Sequence, residues 1–182
     1  MGNLYSVYFG FPGEPSYLIL GGIDSHFYTG SLSYHKLLIN FGWSILIESV
    51  HADGQAVENF SLSAMIMTAQ PFIYGPPEAM QHVVDSINVL NDCSNKDQQP
   101  NVTFSIEGQS YVLTPKDYIL ETDVTSYRNL WGTVGSSVFC ESGLRTSDIS
   151  PGYLFGSIWT RKFYTVFDYG NQRVGFAEAT RF

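Results

Sequence analysis

Residues that could bind metal, attack a carbonyl or move a proton are few in this chain, and most stand in spacings that support no familiar chemistry. His26, His35, His51 and His82 show no metal-ligand spacing, so each reads as a core or surface residue, and no metal or other cofactor is expected. Ser61 and Ser63 follow His51 closely, yet closeness in sequence does not make a nucleophile and base, whose geometry comes from the fold. Cys93 and Cys140 are the only cysteines, leaving a disulfide or two buried thiols as alternatives. Asn59-Phe60-Ser61 and Asn101-Val102-Thr103 are glycosylation sequons, Asn59 and Asn101 being the acceptors if the chain is secreted. The most informative stretch runs from Ala64 through Met65-Ile66-Met67-Thr68-Ala69-Gln70-Pro71-Phe72-Ile73-Tyr74 to Gly75-Pro76. By itself it reads as a buried apolar strand entering a turn.

The elements that position these residues are short strands separated by Gly, Pro and Asp-Gly turns. Tyr5 to Phe9 and Tyr17 to Leu20 are aromatic and β-branched runs on either side of Gly10-Phe11-Pro12-Gly13, which predicts a hairpin. Trp43 to Val50, leading to Asp53-Gly54, and Val102 to Ile106, leading to Glu107-Gly108 before Tyr111-Val112-Leu113, predict two more with tight glycine turns. One helix is expected after Pro76-Pro77, where Met80, Val83, Val84, Ile87 and Leu90 recur at steps of three and four. Its stripe should pack on the sheet behind Met67.

Composition bounds the partners. The 182 residues are 44% hydrophobic, enough for a real core in one domain or one lobe. A formal charge of -8, with nine Lys and Arg spread along the chain, argues against nucleic acid and anionic membranes. No apolar run is long enough for a transmembrane helix. Met1 to Ser6 lack the basic region and apolar core of a signal peptide.

Several motifs in order carry a family resemblance. Leu20-Gly21-Gly22-Ile23-Asp24 is followed by Phe27-Tyr28-Thr29-Gly30-Ser31-Leu32; Trp43 precedes a long strand, and Tyr118-Ile119-Leu120 follows a proline turn. Near the end come Leu154-Phe155-Gly156-Ser157 through Arg161 to Val166-Phe167-Asp168, then Asn171, Val174-Gly175-Phe176-Ala177 and Ala179. Together these resemble the C-terminal lobe of pepsin-like aspartic proteases from about residue 4 to 180. In that frame the family's Asp-Thr-Gly loop falls on Met67-Thr68-Ala69, and Ser157 stands where an aspartate is usual.

The resemblance implies a mostly β fold, a single lobe of the bilobal acid-protease architecture with short helices, spanning 1–182, with the N-terminal lobe and its flap absent. It pairs Cys93 with Cys140, assigns a turn-bracing role to Asp24, and implies that Phe27, Tyr28, Gln70 and Pro71 line the substrate cleft. It also implies a secreted chain or one of the endomembrane or lysosomal lumen. Family chemistry uses two carboxylates sharing a proton, one ionised to deprotonate water. Met67 cannot replace one, because a thioether does not titrate and accepts hydrogen bonds weakly. Ala69 adds a Cβ where the family has glycine, and Pro71 removes a backbone donor. Thr68 keeps the hydroxyl that links the lobes in the family, while Asp53, Asp85 and Asp92 lie outside the loop. The expectation is therefore an inactive lobe that binds a peptide or protein, possible partners being an N-terminal lobe or a second copy. The alternatives are part of an active aspartic endopeptidase and a degenerate fragment.

Overall fold

The computed structural model describes residues 2–11, 13–38, 42–53, 55, 61–124 and 137–181. Along them run β1 (Leu4–Tyr8), β2 (Tyr17–Leu20), β3 (Tyr28–Lys36), β4 (Ser44–Ile47), β5 (Ser49–Ala52), β6 (Leu62–Ile66) and β7 (Ile73–Gly75). Helix α1 (Pro77–Ser86) follows, then β8 (Val102–Ile106), β9 (Gln109–Leu113), α2 (Pro115–Tyr118), β10 (Ile119–Val124), β11 (Ser137–Ser142) and β12 (Leu144–Thr146). The chain closes with β13 (Tyr153–Phe155), α3 (Ser157–Lys162), β14 (Phe163–Asp168) and β15 (Arg173–Ala179). This is the mostly β lobe with short helices that the sequence predicts.

An antiparallel sheet of order β2-β1-β14-β15-β3 forms one layer. Its central strand β14 is buried at every position, so it reads as a continuous apolar run rather than an alternating one. Phe163 and Phe167 face the main core; Tyr164 and Val166 face a smaller aromatic cluster on the other side. The main core centres on Trp159, fully buried and stacked on Phe155 at 4.3 Å. A mixed sheet of order β12-β7-β13-β6-β4 forms the second layer, and a β5-β8-β9 sheet and the β10-β11 ladder complete the fold.

The β8-β9 hairpin appears as expected, with Ile106 opposite Gln109. Both turn residues are left-handed, Glu107 at φ 48° and Gly108 at φ 75°, which matches the right-handed twist of the strands it joins. The β1-β2 hairpin also forms. The hairpin expected at Asp53-Gly54 does not: the run breaks at Glu48, β4 pairs with β6, and β5 crosses to pair with β8. Gly54 lies outside the described residues, as does Asn59. Helix α1 stops at Ser86, whose hydroxyl donates to the Val83 carbonyl at 2.6 Å, so Ile87 and Leu90 fall beyond it. Ala79, Met80 and Val83 form its buried face.

His35 on β3 is buried, with Nδ1 3.2 Å from Glu107 Oε2 and Nε2 2.5 Å from the Tyr111 hydroxyl. A neutral ring satisfies both, donating to the carboxylate and accepting from the phenol. Burial lowers the His35 pKa despite the opposing pull of Glu107. The unfolded chain therefore binds this proton first, and stability falls as pH drops below about 6.5, levelling off below the folded-state value. Urea midpoints at neutral and mildly acidic pH should show a smaller acid loss for His35→Gln than for wild type; equal slopes would remove His35 from the account.

Candidate functional site

β13 lies between β6 and β7, parallel to the first and antiparallel to the second. The chain leaving β6 must cross the end of β13 to reach β7, and residues 67 to 72 make that crossing. Met67 N–H donates to the Phe155 carbonyl at 2.8 Å, ending the parallel pairing, and Gln70 N–H returns to the Met67 carbonyl at 3.1 Å. The crossing then sits on the first residues of α3. Gly156 N–H donates to Phe72 O at 3.1 Å, Ser157 N–H to Gln70 O at 2.6 Å and Ile158 N–H to Pro71 O at 3.3 Å. Ser157 Oγ also lies 3.3 Å from Pro71 O.

That close approach explains Gly156. A Cβ there would stand 2.3 Å from Phe72 O and 2.4 Å from Gln70 O, closer than atoms can pack. Ala69 needs no such exemption, because it is not among the residues held at positive φ. The loop accommodates its methyl group without left-handed strain, where a glycine had been the family expectation.

Met67 and Gln70 are half-buried; Thr68, Ala69 and Pro71 are exposed. None of residues 67 to 72 titrates. Among the described residues, no carboxylate hydrogen-bonds to this loop. The charge attached to it is cationic: the Arg145 guanidinium lies 3.6 Å from the centre of the Phe72 ring and is paired with Glu141 at 2.7 Å. Sequence reasoning missed Arg145, since nothing in its neighbourhood marks it as a partner of a ring 73 positions earlier. The loop therefore offers a hydroxyl, an amide and apolar surface, and no group of its own that titrates.

Gln70 and Pro71 belong to the crossing loop with Met67, and Phe27 and Tyr28 pack within an aromatic cluster. Phe27 stacks on Tyr8 and Tyr17, each at 4.8 Å, and Tyr28 stacks on Tyr164 at 5.1 Å. Both belong to the aromatic cluster on the side of the five-stranded sheet away from the main core. Just before them, Asp24 accepts from His26 N–H at 3.0 Å and braces the turn. The run Leu4 to Phe9 carries β1, an interior strand flanked by β2 and β14. Exposed apolar surface includes Leu18 and Leu20 on β2. Cys93 and Cys140 are bonded, 5.1 Å apart at Cα. Asn101 is half-buried, its N–H donating to Asp53 at 3.0 Å.

Comparison with known proteins accords with this geometry. Residues 1–179 match the family described as eukaryotic aspartyl protease. Pepsin A of Sus scrofa is 31% identical, the match covering 96% of this chain and 46% of that protein. Chymosin of Bos taurus is 30% identical over 97% of the chain and 45% of its own length, and cathepsin E of Mus musculus 33% over 92% and 43%. The chain thus spans a little under half the length of these relatives.

Proposed function

The chain belongs to the eukaryotic aspartyl protease family, and on that premise we propose that it is a noncatalytic member of it, a lobe that binds a peptide or protein through the face carrying Met67 to Pro71. One observation carries this reading: the crossing loop that frames the family's catalytic carboxylate holds a half-buried thioether, with no carboxylate bonded to it among the described residues. Without a group that can accept a proton from water, no nucleophile forms. The loop backbone is held in place by bonds from the start of α3 to Gln70, Pro71 and Phe72, which supports its use as a fixed surface. Exposed Thr68, Ala69 and Pro71 give that frame a contact surface.

The acidic balance of the chain favours a peptide or protein over nucleic acid. The Cys93–Cys140 bond favours an oxidising compartment, a secreted location or the endomembrane or lysosomal lumen. No helix among the described residues is long and apolar enough to cross a membrane.

The test is hydrolysis of a denatured-protein substrate by the purified chain from strongly acidic to neutral pH, with and without a pepstatin-type inhibitor. No inhibitor-sensitive cleavage is expected. Met67→Asp is not expected to restore turnover, because one carboxylate cannot serve as both acid and base. Pepstatin-sensitive cleavage by the wild-type chain would overturn the proposal.

A further inference from the structure

A second surface, lined by none of residues 67 to 71, carries chemistry of its own. Helix α3, α2 and the start of β10 enclose an open cleft of about 580 Å³ with an apolar floor that includes Ile119, Leu120 and Ile158. In a chain of net charge -8, four of the nine Lys and Arg line this cleft: Lys96, Lys116, Arg161 and Lys162. A fifth, Arg181, reaches its rim by pairing with Asp117 and lying over the Phe11 ring at 4.7 Å.

The acidic residues of the cleft are largely engaged. Glu121 pairs with Lys96 at 2.6 Å. Asp117 is held by Arg181, by Lys162 at 3.8 Å, and by the N–H and hydroxyl of Thr114 at 2.8 and 2.7 Å. Lys162 also pairs with Glu178 at 2.7 Å. Asp97 is exposed on the short turn at Lys96–Gln98. Among the described residues this leaves Arg161 and Lys116 with no ion-pair partner, and Arg161 Nε is buried with no acceptor. A guanidinium lining the cleft with no counter-ion of its own is open to an arriving carboxylate, whose two oxygens match its planar fork.

We propose that this cleft binds an acidic peptide segment, seating one carboxylate between Arg161 and Lys116 and apolar neighbours on Ile119, Leu120 and Ile158. The floor and volume suit a ligand larger than a bare anion. The pairing that already neutralises most of the cleft, within an acidic chain, suits a single carboxylate better than a polyanion.

The experiment is fluorescence anisotropy with a labelled octapeptide of Leu and Ser carrying one central Glu, against the same peptide with Gln for Glu, at low and at physiological salt. The acidic peptide is expected to bind at least about tenfold tighter than the Gln peptide and to weaken with salt. Arg161→Gln and Lys116→Gln should each weaken it by about tenfold, while Lys36→Gln on β3, outside the cleft, should not. No binding, equal binding of the two peptides, unchanged affinity in both cleft variants, or an equal loss in Lys36→Gln would overturn the proposal. None of these outcomes bears on hydrolysis, so its failure and that of the noncatalytic reading are separable.

Discussion

Replacing Cys93 and Cys140 together by serine is expected to lower stability by about 4 kcal/mol, the chain-entropy value for a closure of this span. The bond joins positions 47 residues apart and ties the segment after α1 to β11. Backbone bonds converge on it: Cys93 N–H donates to Leu90 O at 2.9 Å and Cys140 N–H to Asn91 O at 3.0 Å. Cys93 is held at φ 64°, a left-handed conformation that non-glycine residues adopt at a cost of about 1 kcal/mol or more. Cys140 is fully buried, so its replacement hydroxyl would also lose water without a prepared partner. Urea unfolding of the oxidised wild type and the double variant measures the difference, and peptide mapping without reduction checks that the two cysteines are joined in the wild type. A loss below about 1 kcal/mol would mean that the surrounding bonds already confine the segment.

Gly156→Ala is expected to cost about 3 kcal/mol, a large effect for one methyl group. The added Cβ meets two backbone carbonyl oxygens, Phe72 and Gln70, rather than a side chain that could turn aside. Relief requires moving either α3 or the crossing loop, and α3 is fixed by Trp159 in the core. The loop should give way, breaking the bonds from Gly156 and Ser157 to it. Hydrogen exchange should then rise at Met67 and Gln70 in the variant while β8 and β9 keep their protection. A uniform rise across the lobe would show instead that the change acts on the whole core.

Much of the fold was legible because local rules coincide with the tertiary outcome. Glu107-Gly108 specifies its own turn, and the flanking Val102, Phe104, Ile106, Tyr111 and Leu113 alternate inward, so β8-β9 could be read directly. The order of motifs gave the lobe and the pairing of Cys93 with Cys140. What sequence could not show is where a strand changes partner. Trp43 to Val50 is one apolar run, but a break at Glu48 sends its halves to two sheets, a result settled by what packs against each half. Periodicity likewise carried the stripe of α1 past Ser86, because the side-chain hydroxyl that closes the last turn leaves apolar spacing unchanged. At the candidate site, Met67, Gln70 and Pro71 were found by motif alone. Phe27 and Tyr28 were grouped with them by family expectation; in the fold they pack against Tyr8, Tyr164 and Val166, a cluster whose members lie far apart in the chain. The Arg161 cleft was invisible, since its walls come from segments that only the fold assembles.

The insertion of β13 between β6 and β7 also sets the order in which the molecule can be built. Ile66 and Phe155 are neighbours in space but about 90 residues apart in the chain. During synthesis β6 and β7 emerge early with a vacancy between them, and two apolar edges must wait for the strand that fills it. Such long-range pairing is slow, and open edges invite pairing with other chains meanwhile. The crossing loop acquires its shape only when β13 and α3, about eighty residues further along the chain, have been made. A chain cut before Tyr153 therefore keeps every residue of the loop but loses the β13 and α3 partners that hold it in place.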